Sequence, residues 1–239
     1  MSLLQHIQTL GVKVVFICPD NSPKYTGRKF TMLWMLQHIG FPNIEHFKSD
    51  DIPYPRCLVK ATMDILKKYI DEPVIILEDD VAYTGNSMFE IPEDTDAFYL
   101  GLSECAAHPT SYHFGGTSQF TCVSRHTVRV QNMLSAHAIY YKSRRYKEAV
   151  IERMQWGFAS NLINDVLLAR LQPSFNIYAG TVPMFYQSRA FNVNHFKYDV
   201  EDQTNIEIYI KDDKTCIPIR RYGGPTQSVK YKHELTDIK

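Results

Sequence analysis

The chain has 239 residues, 44% of them apolar and 22% charged, with 26 basic residues balancing 26 acidic ones. That length and composition suit an ordinary globular protein with a substantial core. Zero net charge gives no global argument for nucleic acid or an anionic membrane as partner. Five widely spaced cysteines without a CxxC pair fit reduced thiols better than a disulfide scaffold. The N-terminal MSLLQHIQTL is short and polar for a signal peptide, and no apolar run approaches the roughly 20 residues of a membrane helix. The expectation is a cytoplasmic protein without an integral membrane segment. Its oligomeric state is not legible.

In chain order, VKVVFIC (12–18) has the β-branched density of a buried strand, and PDNSPKYTG after it is turn chemistry. A helix is predicted over 28–39, with Met32, Leu33, Leu36 and Ile39 at helical spacing and Gly40 to stop it. A short strand follows at 44–47. SDDIPYPR is then a loop, broken by Pro53 and Pro55, and a second amphipathic helix covers 57–70. Strands are predicted at 74–78 and 97–102. The segment 104–124, rich in Gly, Ser, Thr, His and aromatics, reads as a long irregular stretch.

Beyond it come a strand at 138–141, helices at 145–154 and 160–171, and short strands at 175–179 and 184–187. The last fifty residues resist assignment. Strands alternating with helices imply an α/β fold with a mostly parallel central sheet flanked by helices. With no internal repeat or long linker, one domain over 1–239 is expected: a core at 12–190 and an extension at 191–239.

EPVIILEDDVAY (72–83) concentrates the chemistry. A buried-looking strand runs straight into Glu78, Asp79 and Asp80, at the strand end where open α/β sheets bind ligands. Strand alternation would put Glu78 and Asp80 on one face. Two carboxylates there suit Mn²⁺ or Mg²⁺, which would offset their repulsion. A solvated turn is the plainer alternative.

ILEDD, preceded by CLVKATMDIL, resembles the family 25 glycosyltransferases of the lipopolysaccharide and collagen-galactosyl type. The rest of that pattern is matched in order by VVFICPDNSPKYTGRKFTML with Arg28, SAHAIYY (135–141), NDVLLARL (164–171) and PMFYQS (183–188). The resemblance covers about 12–190. It departs from the family where Cys18-Pro19-Asp20 stands for Asn-Leu-Asp and Ser135 for Gly.

The resemblance implies a glycosyltransferase-A fold and a nucleotide-sugar donor, UDP-hexose by family expectation, whose diphosphate is bridged to the protein by Mn²⁺ or Mg²⁺. Asp80 would be the foremost metal ligand. Glu78 would be a second ligand or a donor contact, and Asp79 a supporting acceptor. His137, in SAHAIYY, and His195, in NVNHF, are rival candidates to complete the metal site. Asp165 is the candidate general base of an inverting transfer to a glycan hydroxyl. Arg28 and Lys29 would meet the nucleotide or its phosphates. Gln187 and Ser188 would line the acceptor side.

Each of these residues has a structural reading too, such as a capping acid for Asp165 or a surface pair for Arg28 and Lys29. Tyr112, Phe114 and Phe120, set among Gly115, Gly116 and Ser118, suggest a flap over a sugar. Cys105, His108, His113 and Cys122 match no common zinc frame. Two other functions compatible with the motif are a metal-dependent phosphohydrolase and a non-catalytic glycan-binding module.

Overall fold

The computed structural model describes residues 3–187, 205–212 and 215–220. The chain opens with α1 (Leu3–Leu10), β1 (Lys13–Ile17) and α2 (Pro23–Ile39), followed by β2 (Ile44–Phe47) and α3 (Arg56–Lys68). Next come β3 (Val74–Glu78), β4 (Val81–Tyr83), β5 (Ala97–Tyr99), β6 (Gln119–Cys122), β7 (Thr127–Gln131) and β8 (Ala138–Tyr141). Two helices, α4 (Arg144–Ser160) and α5 (Asn164–Ala169), precede β9 (Ile177–Gly180), β10 (Phe185–Gln187) and the hairpin β11 (Ile206–Asp212) and β12 (Thr215–Arg220).

Eight strands form one sheet in the order β2-β1-β3-β8-β5-β9-β7-β6. The pairings make six of the eight run one way, with β7 and β8 reversed. The expected α/β architecture with a mostly parallel sheet is therefore present. Because side chains alternate along a strand, each central strand feeds two cores. Val15, Ile76, Tyr99 and Ile139 pack with α3, α4 and α5 on one face. Val14, Phe16, Leu77 and Phe98 pack with α1 and α2 on the other.

Several boundaries differ from the sequence expectation for identifiable reasons. Helix α2 starts at Pro23, not 28, because Ser22 takes the N-cap position and proline is well suited to the first turn. The predicted strand 97–102 stops at Tyr99, and the Leu100 carbonyl instead accepts from the backbone N–H groups of Met184 and Phe185. Helix α4 runs to Ser160 and ends on Asn161 in the left-handed region, φ 54°, so the expected helix 160–171 shortens to α5 and a 3₁₀ turn at Gln172–Ser174.

Strand β6 lies inside the segment read as irregular, and β11 and β12 lie in the stretch left unassigned. Strand β7 belongs to no predicted element, although its sequence TVRVQ alternates. The N-cap of α4, Ser143, accepts from the Tyr146 N–H at 3.2 Å, one of the orphan donors a helix start must satisfy. The buried Lys147 closes the far end of α3, donating to the carbonyls of Tyr69 and Glu72 at 2.8 Å each.

Candidate active site

Strand β3 enters the sheet centre between β1 and β8 and delivers its acidic triplet to the carboxyl edge. The strand ends at Glu78; Asp79 and Asp80 form a turn, and β4 leaves from Val81. Alternation thus holds only as far as Asp79. Glu78 follows Ile76 onto the α3–α5 face, while Asp79 follows Leu77 onto the α2 face. Asp80 is brought back toward Glu78 by the turn rather than by strand periodicity.

Strand β10 pairs antiparallel with β4, and the register Gln187↔Val81 brings the Gln187 side chain beside Asp80. Its Nε2 donates to Asp80 Oδ2 at 3.1 Å. The fully buried Asn205 fixes the Gln187 backbone in turn: Asn205 Oδ1 accepts from the Gln187 N–H and its Nδ2 donates to the Gln187 carbonyl, both at 2.9 Å. Asp80 Oδ1 is buried and has no hydrogen-bond partner.

Helix α5 completes an acidic recess. Its second residue, Asp165, shares the α3–α5 side with Glu78, and the preceding Asn164 anchors the helix start to α3 by donating to Thr62 Oγ1 at 3.2 Å. A close approach marks where α5 meets α4: a Cβ on Gly157 would stand 2.2 Å from Leu167 Cδ1, so a larger residue there would require the Leu167 side chain to shift.

Glu78 and Asp165 keep part of their surface accessible, yet lie deep enough that burial dominates their titration. Burial, then the charges of Asp80 and Asp165, push Glu78 well above the carboxylate range. Burial and Asp79 push Asp80 up to about 6, and burial and Asp80 push Asp165 up to about 6. These are three carboxyls held against their own repulsion.

Tyr54 was not anticipated. Its side chain is largely exposed at 68%, but burial around its hydroxyl and the charges of Asp165 and Glu78 push the phenol up to about 12. The sequence offered only an aromatic between two prolines just ahead of α3, which does not reveal its nearness to the acids.

The middle acid is occupied elsewhere. Arg28 Nη1 donates to Asp79 Oδ1 at 3.0 Å, and the Cys18 thiol donates to Asp79 Oδ2 at 3.3 Å. Burial and Asp79 together push that thiol far up. Lys29, on the more exposed side of α2, pairs with Asp20 at 2.9 Å.

His137 sits one residue ahead of β8, and its carbonyl accepts from the Glu78 N–H at 2.8 Å. The ring itself is buried over Gly101, with Nδ1 3.2 Å from Ser135 Oγ. A Cβ on Gly101 would stand 1.8 Å from Nε2, so that nitrogen faces the Gly101 backbone. Nε2 makes no hydrogen bond of ordinary geometry. Burial lowers the imidazole to about 4, opposed only weakly by the Phe185 backbone.

His195 and Ser188 lie outside the described residues. The suggested flap divides in three. Phe120 is on β6 against the core, Phe114 is exposed at 63%, and Tyr112 meets Trp156 at 4.8 Å between ring centroids.

Among the described residues, no three His, Cys, Asp or Glu side chains are placed to hold a metal ion by themselves. Glu78 and Asp80 nonetheless fit a hard cation that takes one or two carboxylates and draws its other ligands from phosphates and water. The unpartnered, buried Asp80 Oδ1 is the observation that matches such an ion. Among the described residues, no helix is long and apolar enough to cross a membrane.

No protein-family model matches the chain, and no curated protein matches it in sequence. Among solved structures it is similar to a nucleoside-diphosphate-sugar pyrophosphorylase from Vibrio cholerae RC9, with 14% identity and a TM-score of 0.39 over 74% of this chain and 76% of the other. A glycosyltransferase involved in the glycosylation of the major capsid of PBCV-1 matches at 10% identity and a TM-score of 0.35, over 78% of this chain and 100% of that one. A UDP-glucose pyrophosphorylase from Acinetobacter baumanii matches at 11% identity and 0.37, over 99% and 87%. Likenesses of this extent are too slight to assign an activity.

Proposed function

We propose that the protein is a metal-dependent, inverting glycosyltransferase that moves a hexosyl unit from a nucleotide-diphosphate sugar, UDP-hexose by preference, to a carbohydrate hydroxyl. One observation carries the reading. Glu78, Asp80 and Asp165 converge at the carboxyl end of β3 with raised pKa values, and one Asp80 oxygen is buried without a partner. The ordered likeness of the chain to family 25 glycosyltransferases supports it.

Asp80 and Glu78 would hold Mn²⁺ or Mg²⁺, which when bound supplies Lewis-acid stabilisation for the departing diphosphate. Gln187 fixes one Asp80 oxygen, and the other, buried without a hydrogen-bond partner, would be the one to hold the cation. Lys29 meets the donor phosphates by exchanging its Asp20 partner. Arg28 acts indirectly, by neutralising Asp79 so that the turn can hold the other two acids.

Asp165 takes the proton of the acceptor hydroxyl as its oxygen bonds to the anomeric carbon and the bond from that carbon to the diphosphate breaks. A carboxyl titrating near 6 is a useful base at neutral pH, because it is mostly ionised yet more basic than a solvated aspartate.

The test is nucleoside diphosphate release from a panel of nucleotide sugars, with Mn²⁺ or with chelator, in the presence of glycan acceptors. Metal-dependent release that disappears in Asp80→Ala supports the transferase. Phosphate release from simple esters would replace it with a phosphohydrolase. Donor binding without release on any acceptor would replace it with a binding module.

A further inference from the structure

A second recess lies on the outer side of α4. Ala149, Glu152, Arg153 and Trp156 follow one another at the spacing of a single helix stripe, and Tyr112 and Leu171 close the groove opposite them. Its volume is about 380 Å³, within the range of small-molecule sites. Trp156 is 43% exposed, and its ring meets Tyr112 at an interplanar angle of 54°, so the two form an open aromatic corner.

The corner is built rather than incidental. Arg170, at the end of α5, donates to the carbonyls of Pro109 at 2.8 Å and Ser111 at 2.7 Å, and also to that of His108. The same guanidinium lies over the Tyr112 ring, 5.6 Å from its centroid. One side chain thus fixes both the loop and the ring that it carries. By contrast, the Glu152 carboxylate and the Arg153 guanidinium beside Trp156 have no hydrogen-bonding or ionic partner among the described residues.

We infer that this groove is a carbohydrate subsite, in which a sugar ring stacks on the exposed Trp156, which Tyr112 backs, while Glu152 accepts from, and Arg153 donates to, its hydroxyls. A neutral polyhydroxylated ligand suits the chemistry, because the aromatic faces take the apolar side of a sugar ring and the opposed charges cancel while offering both hydrogen-bond senses. A purely apolar ligand would leave both charges unused, and an ionic ligand of either sign would meet one like charge.

Helix α5 links the groove to the acidic recess. Asp165 lies in its first turn and Arg170 follows its last residue, about 8 Å further along the axis at 1.5 Å per residue. If the transferase reading holds, the groove takes acceptor units remote from the hydroxyl that reacts. Glycan binding there does not depend on that reading.

The test is NMR of the full chain, in chelator and without donor, with cellotetraose, maltotetraose and N-acetylchitotetraose as probes. The chain has two tryptophans, so the indole N–H of Trp34, stacked on His38 at 5.2 Å, serves as the internal control. At least one tetrasaccharide is expected to shift Trp156 and leave Trp34 in place. Affinity should fall about tenfold in Trp156→Ala, recover largely in Trp156→Phe, and stay unchanged in Asp80→Asn.

No shift from any probe up to about 10 mM overturns the subsite, as does undiminished binding in Trp156→Ala. If no nucleotide sugar is turned over while binding at Trp156 persists, the transferase reading fails alone. Turnover with no effect of Trp156→Ala on binding or on acceptor KM fails the subsite alone.

Discussion

Arg28 Nη1 stands 3.0 Å from Asp79 Oδ1 in a pair whose side chains are 10% and 13% exposed. That contact answers why three consecutive acids are tolerated: α2 neutralises the middle one, and only the outer two are left for a ligand. It also withdraws Arg28 from direct service to a phosphate. Arg28→Ala should cost about 3 kcal/mol in chemical denaturation, since it strands a buried carboxylate. Arg28→Met combined with Asp79→Leu should recover part of that loss, because replacing both partners leaves no buried charge.

Asp80→Asn should raise the melting temperature of the chelated protein at pH 8, with a smaller gain at pH 5. Burial and Asp79 raise the Asp80 pKa to about 6, above its unfolded value of 3.8. Stability from such a group is complete below the unfolded pKa and is lost as pH rises through the folded one. The neutral amide escapes that loss, a gain on the order of 1–3 kcal/mol at pH 8. Asparagine can still accept from Gln187, so the comparison isolates the charge. An equal gain at both pH values would contradict the assignment.

Gly101→Ala should be destabilising by about 2 kcal/mol or more, because its Cβ would stand 1.8 Å from His137 Nε2 and 2.5 Å from Cε1. The ring is buried, 4% exposed, so it cannot simply turn out into solvent. Adding His137→Ala to Gly101→Ala should restore part of the loss, which thermal unfolding of the two single variants and the double variant would measure.

Asp165→Asn should lower kcat by about two to four orders of magnitude and leave donor KM nearly unchanged, as expected for loss of a general base. Steady-state kinetics at saturating acceptor separate this from a structural role, which would raise KM or lower the melting temperature instead.

The fold was legible where a strong local pattern coincided with tertiary demand. VKVVFIC and VIILE became β1 and β3, because a buried central strand needs continuous apolar residues on both faces. Strand β6, with the exposed Gln119 and Thr121 alternating with half-buried residues, gave no such signal at the sheet edge.

Within the site, the placement of the triplet at the end of a central strand was readable, and so was Asp165 at a helix start, but the turn at Asp79 and Asp80 was not. The partition of the triplet was not. It depends on Arg28 reaching Asp79 and on Gln187 reaching Asp80 from β10, contacts 51 and 107 residues apart. Tyr54 and Asn205 were missed for a related reason: their places follow from how α3 and β11 dock, not from local spacing.

The account turns on whether Glu78 and Asp80 hold a divalent cation together with a nucleoside diphosphate. Titrating Mn²⁺ into the protein with UDP present, and following loss of the free-ion electron paramagnetic resonance signal, measures this directly. One ion bound per chain, with affinity at least about tenfold weaker in Asp80→Asn and unaltered in Lys60→Ala, is the predicted result. Equal Mn²⁺ affinity in wild type and Asp80→Asn would contradict it.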